Sequence, residues 1–153
     1  MSSKITTELV KELRDATGIS VIQCKRALEE AQGDMKKALV VLKKTSSDIA
    51  LKKADRALGS GYIHAYVHGE GRIGAMLELK CETDFVAKNE VFKNLAKEIT
   101  MQIAATNPEN AEALLNEPFI KNAENTILSL IQEATQKTGE KIEIGRYTRF
   151  ELN

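Results

Sequence analysis

Tyr62-Ile63-His64-Ala65-Tyr66-Val67-His68 and, after Gly69-Glu70-Gly71-Arg72, Ile73-Gly74-Ala75-Met76-Leu77-Glu78-Leu79-Lys80-Cys81 decide the fold. Both stretches have a period of two. In the first, Tyr62, His64, Tyr66 and His68 alternate with Ile63, Ala65 and Val67; in the second, Ile73, Ala75, Leu77, Leu79 and Cys81 alternate with polar or smaller residues. Alternation sends successive side chains to opposite faces of a sheet, so the pair predicts an antiparallel hairpin. Gly69, Gly71 and Gly74 also match G-x-G-x-x-G, which cradles pyrophosphate when a helix N-terminus follows. Strand-period sequence follows here, so the glycines serve a tight turn that needs positive φ. No phosphate site and no cofactor are expected.

Downstream the period lengthens. Phe92, Leu95, Ala96, Ile99 and Ile103 mark a long helix closed near Asn107-Pro108, and Ile127, Leu128, Leu130, Ile131 and Ala134 mark another closed at Gly139. Ile142, Ile144, Thr148, Phe150 and Leu152 then share one parity, which predicts a third strand, with Arg146 interrupting the face and Gly145 a candidate bulge. Residues 60–153 are expected to form an α+β core, a three-stranded antiparallel sheet covered on one face by helices.

Upstream there are three short helical periods. Ile5, Leu9 and Leu13 recur every four residues before Thr17-Gly18; Ser20 and Gln23 have capping-box spacing ahead of a stripe of Val21, Cys24, Leu28 and Ala31. Gly33-Asp34 separates these from Met35, Ala38, Leu39 and Leu42. Residues 1–45 are expected to be a three-helix module of the kind that binds other proteins. Residues 46–59, with Lys52, Lys53 and Arg56, are expected to be a helical linker.

The 153 residues carry 22 Lys plus Arg against 22 Asp plus Glu, so total charge argues against a nucleic-acid or anionic-membrane binder. The pairs Lys36-Lys37, Lys43-Lys44 and Lys52-Lys53 are interleaved with acidic residues and have no aromatic neighbours for stacking, as on a solvated helical face. Cys24 and Cys81 stand apart, outside any CxxC pair, so neither a disulfide framework nor a zinc site is expected; both fall on apolar stripes, as buried small hydrophobes do. Met1-Ser2-Ser3-Lys4 lacks an apolar signal core, and no stretch approaches the roughly 20 apolar residues of a membrane span. The expected location is the cytoplasm.

Cys81-Glu82-Thr83-Asp84-Phe85-Val86-Ala87-Lys88-Asn89-Glu90 hands a strand over to a helix. Asp84 fits an N-cap, and Phe85, seven residues before Phe92, shares its helical face, so periodicity favours a capped core helix. Lys88 and Asn89 interrupt that stripe, however, and leave room for a Phe displayed on the corner.

Thr83-Asp84-Phe85-Val86-Ala87-Lys88-Asn89 resembles the signature of the elongation factor Ts family. Residues 9–34 resemble that family's N-terminal module, itself similar to ubiquitin-associated (UBA) domains. His68-Gly69 with Gly71-Arg72-Ile73-Gly74 resembles its core hairpin, and Gly145-Arg146-Tyr147-Thr148-Arg149-Phe150-Glu151-Leu152 its C-terminal strand. The family commonly has Met-Met-Asp where this chain has Val21-Ile22-Gln23. Asn107-Pro108 leads almost directly into Leu114-Leu115-Asn116-Glu117-Pro118-Phe119, where longer members have further helices, and many members add a coiled coil and a second core copy. The chain resembles a minimal form with one core half.

The resemblance implies a guanine nucleotide exchange factor for the GTPase EF-Tu, acting by binding and not as an enzyme. It implies that Thr83, Asp84, Phe85 and Val86 enter near the GTPase's Mg²⁺ region, with Phe85 as wedge and Asp84 as polar partner. Arg14, Val21 and Ile22 would anchor the module on the GTPase domain, and His68 would contact another domain. A single core half carrying both contact sets implies a homodimer; no membrane and no direct nucleic-acid contact are expected. The alternative is a UBA-type interaction protein without exchange activity, which would use only the N-terminal module.

Overall fold

The computed structural model describes residues 5–153; the reading of residues 1–4 as free of an apolar signal lies outside them. In chain order the elements are α1 (Thr7–Thr17), α2 (Val21–Glu30), α3 (Met35–Lys52), β1 (Ser60–His68), β2 (Ile73–Cys81), α4 (Asp84–Ala87), α5 (Glu90–Thr106), α6 (Ala111–Asn116), β3 (Pro118–Phe119), β4 (Asn122–Thr126), α7 (Ile127–Thr138) and β5 (Glu143–Glu151). The fold is α+β.

The period-two stretch is the hairpin β1-β2, with Tyr62 opposite Leu79, His64 opposite Leu77 and Tyr66 opposite Ala75. Its turn places Gly69 at φ 57° and Gly71 at φ 85°, left-handed conformations that cost a side-chain-bearing residue and suit glycine. The Gly71 amide closes the turn by donating to the His68 carbonyl at 3.2 Å, and β2, not a helix, follows at once.

Strand β5 pairs antiparallel with the other edge of β2, giving the order β1-β2-β5. Leu77 pairs with Tyr147 and Leu79 with Ile144, so β5 carries one extra residue at Gly145-Arg146. An added residue reverses the alternation beyond it. The single parity expected for Ile142, Ile144, Thr148, Phe150 and Leu152 is therefore split. Ile142, Ile144 and Tyr147 pack on the core, whereas Phe150 and Leu152 are exposed. The bulge is a close fit: a Cβ on Gly145 would collide with the Glu78 carboxylate, which accepts a 3.0 Å hydrogen bond from the Arg146 guanidinium. That hydrogen bond holds the Glu78 carboxyl below the usual carboxylate range.

Helix α5 lies across β1 and β2, and α7 packs on α5. Leu77, Leu79, Phe92, Ile99, Ile103 and Ile127 fill the space between them without solvent contact. Elements α6, β3 and β4 did not stand out in the sequence. The buried Gln102 side chain anchors them, donating at 3.0 Å to both the Glu117 carboxylate and the Pro118 carbonyl and accepting from the Ile120 amide at 2.9 Å. A buried amide with these partners is satisfied at both ends.

Helices α1 to α3 surround a second core of Leu13, Ile19, Cys24, Leu28, Ala38 and Leu42. Within the expected α2 stripe, Cys24, Leu28 and Ala31 are buried while Val21 is half exposed. The capping box at the start of α2 is made in one half. Ser20 Oγ accepts from the Gln23 amide at 3.3 Å, but the Gln23 side chain accepts from Gln136 Nε2 at 3.1 Å. Helix α3 runs unbroken through the expected module boundary to Lys52, and residues 56–59 of the expected helical linker are not helical. Ser46, buried on α3, donates to the Gln136 side-chain carbonyl, so α3 packs on α7 through a polar cluster of Gln23, Ser46 and Gln136.

Candidate functional site: the strand-to-helix corner

Strand β2 ends at Cys81, and within three residues the chain starts α4, a single helical turn. Thr83, not Asp84, is its N-cap, with Thr83 Oγ1 accepting from the Val86 amide at 3.4 Å. Asp84 instead accepts from the Ser60 hydroxyl at the start of β1. Asn89 then caps α5 by accepting from the Val91 amide at 2.8 Å. The two caps divide what periodicity joined. Phe85 and Phe92 sit on different helices, so the heptad relation that favoured a common buried face is broken. Phe92 is wholly buried, whereas Phe85 is 81% exposed, more than any other large apolar side chain among the described residues.

The residues beside Phe85 hold the corner. Val86, at 3% exposed, and Ala87 are part of the main core, so in the free chain Val86 anchors the turn from inside. Behind the corner lies the turn between α7 and β5. The Glu140 carboxylate accepts from the Glu82 amide at 3.1 Å, the Thr83 amide at 2.9 Å and the Thr83 hydroxyl at 2.6 Å. Glu82 returns the contact, accepting from the Lys141 amide at 2.7 Å and from Arg56 at 3.4 Å. Burial, and then the negative charges of Glu140, Asp84 and Glu82, push the Cys81 thiol up; it stays protonated and donates to the Thr83 carbonyl at 3.3 Å.

His68 lies at the opposite end of the hairpin from the corner. Its Nδ1 is 2.8 Å from the Tyr66 hydroxyl, which orients the exposed ring beside an apolar cleft lined by Ile73, Met101, Ala105 and Ile120. The nine residues of β2 span roughly 26 Å at about 3.3 Å per step, so one chain does not bring His68 and Phe85 together. Arg14, Val21 and Ile22 lie on the N-terminal module, Arg14 in the last turn of α1 and the others in the first turn of α2. Ile22 is 66% exposed. Among the described residues no group of three or more His, Cys, Asp or Glu is arranged to hold a metal, and no helix is long and apolar enough to cross a membrane. Glu140, Ser60 and Arg56 were missed as corner residues because they are distant from it in sequence and belong to no local motif.

A profile of the family described as Elongation factor TS matches residues 82–153, from the corner to the end of β5. Elongation factor Ts of Carboxydothermus hydrogenoformans is 41% identical, the alignment covering 97% of this chain and 89% of that protein. The protein of the same name from Oleidesulfovibrio alaskensis is 39% identical over 97% of this chain and 98% of its own length, and that of Desulforamulus reducens 37% over 98% and 90%. The first alignment runs over 193 positions against 153 residues here, so at least 40 of its positions have no residue in this chain. Such similarity along nearly the whole length of both partners leaves a single assignment: the chain belongs to the elongation factor Ts family.

Proposed function

We propose that this chain, a nucleotide exchange factor for EF-Tu in translation elongation, promotes GDP release by inserting the Asp84-Phe85 corner near the GTPase's Mg²⁺ and phosphate site. A GTPase holds GDP through backbone amides, a lysine and Mg²⁺, which together offset the phosphate charge. A partner that displaces those groups makes nucleotide and partner bind less tightly together than apart, and by linkage incoming nucleotide expels the partner. The factor makes and breaks no covalent bond in this scheme. One observation carries the reading: Phe85 is 81% exposed on a corner whose next two residues are buried. A large aromatic held out on a rigid support is what an anchor at an interface requires. Asp84, beside it and exposed, is the polar partner, and Thr83 shapes the turn.

In the same reading the N-terminal module docks on the GTPase domain through Arg14, Val21 and Ile22, and His68 meets a second domain. The exposed Ile22 and the Tyr66-oriented His68 ring support these roles. The separation of His68 from Phe85 supports a homodimer, in which one copy supplies the wedge and the other the histidine contact. The cytoplasm is the proposed location. Stopped-flow release of a fluorescent GDP from EF-Tu, with and without this chain, tests the function. Release should accelerate and saturate with factor concentration; binding without acceleration would leave an interaction protein and overturn the exchange role.

A further inference from the structure

We propose that Glu140 is a positioning residue for nucleotide exchange, a carboxylate clamp that fixes the direction in which Phe85 is presented. The inference rests on the wedge reading above. Where β2 ends, the amides of Glu82 and Thr83 leave the sheet ladder, and both donate to Glu140 Oε1, while Oε2 takes the Thr83 hydroxyl. One side chain thus binds three successive donors at the point where the chain changes direction, and charge-assisted hydrogen bonds of this kind are the stronger ones. The strap is double, because the Glu82 carboxylate accepts from the amide of Lys141, the residue after Glu140. Glu140 is itself placed by Gly139, which ends α7 at φ 77° and lets the chain reverse toward β5. Phe85 has no burial of its own to set its direction. Its presentation therefore depends on Val86 and Ala87 inside the core and on this clamp behind Thr83.

Losing the clamp should leave the core folded and let the corner turn, so that wedge insertion suffers while docking does not. Glu140→Ala should lower the maximal rate of stimulated GDP release about tenfold at saturating factor, since small misplacement of a positioned group is costly. The half-saturating concentration should stay within about twofold of wild type. Glu140→Gln, which keeps a carbonyl for the two amides, should retain roughly half the wild-type rate. Native hydrogen exchange should show loss of protection at the Glu82 and Thr83 amides of Glu140→Ala, with α5 protection retained. Added to Phe85→Ala, Glu140→Ala should slow release no further, because both changes act through one side chain. Slowing by Phe85→Ala together with a wild-type rate or unchanged protection in Glu140→Ala would overturn the clamp alone, as would full additivity in the double variant. A wild-type rate for Phe85→Ala would overturn the wedge and this inference with it.

Discussion

Phe85 sits where a large apolar side chain gains nothing from the fold, since hydrophobic stabilisation scales with area removed from water and most of this ring stays in it. Truncating it should therefore leave the unfolding midpoint unchanged. If the ring is buried in EF-Tu only as GDP leaves, truncation should cost about 2 kcal/mol of stabilisation at that step, the scale of an aromatic anchor. Phe85→Ala should then slow stimulated GDP release at least about tenfold, which stopped-flow release alongside a urea unfolding curve would check. Wild-type exchange, or an unfolded variant, would make Phe85 a bystander or a core residue. The sequence contained this answer only in part. Seven-residue spacing gave Phe85 and Phe92 one face, and what separates them is a pair of caps, Thr83 and Asn89, whose effect depends on side chains meeting backbone amides in space. The Lys88-Asn89 interruption was the visible trace of that break. Glu140 left no such trace, because a carboxylate nearly sixty residues from its donors has no local pattern.

At the scale of elements, the hairpin carries the corner, and its backbone spacing is most exposed to change at Gly61. A Cβ there would lie 2.5 Å from the Leu79 carbonyl oxygen, a main-chain atom of β2 that cannot swing aside. Gly61→Ala should destabilise the chain by about 2 kcal/mol, read from a urea midpoint; an unchanged midpoint would mean that β1 can shift on β2 at no cost. The hairpin was legible because period-two alternation is local, and the helices around both cores were legible for the same reason. The parity of β5 was not, since the residue that reverses it counts only once the strand is paired with β2. The full capping box at Ser20 failed similarly, its Gln23 side chain finding Gln136 on α7 instead of its own helix. Helices α1 and α2 leave Arg14, Val21 and Ile22 exposed, as the proposed docking role requires. Ile22→Asp should accordingly raise the half-saturating factor concentration about tenfold while leaving the maximal release rate within about twofold. A titration of exchange rate against factor separates the two, and a fall in the maximal rate alone would tie the module to displacement instead of docking.

Across the whole molecule, nothing among the described residues covers one face of the sheet. Helix α5 protects the face carrying Tyr62, Leu77, Leu79 and Tyr147, while Ile63, Val67, Met76 and Phe150 project from the other, with Phe150 73% and Val67 66% exposed. The ion-paired Glu78, Lys80 and Arg146 interrupt these apolar residues on the same face, and exposed apolar side chains grouped in this way mark a surface that something covers. A second copy is the occupant proposed here, for two reasons that do not depend on each other. A twofold axis through the face would pair like with like, stacking two sheets about 10 Å apart and burying the same residues from both copies. It would also answer the separation of His68 from Phe85 along β2, by letting one GTPase meet the wedge of one copy and the histidine of the other. Phe150→Glu would place a charge in that interface twice, at a position whose exposure in the single chain makes the substitution harmless to folding. Sedimentation equilibrium at micromolar concentrations should give the dimer mass for the wild-type chain and the monomer mass for Phe150→Glu. The variant should keep its circular dichroism and need more protein to reach half-maximal exchange. A wild-type chain that stays at the monomer mass throughout, and is fully active at one factor per EF-Tu, would rule the dimer out and require some other cover for the open face.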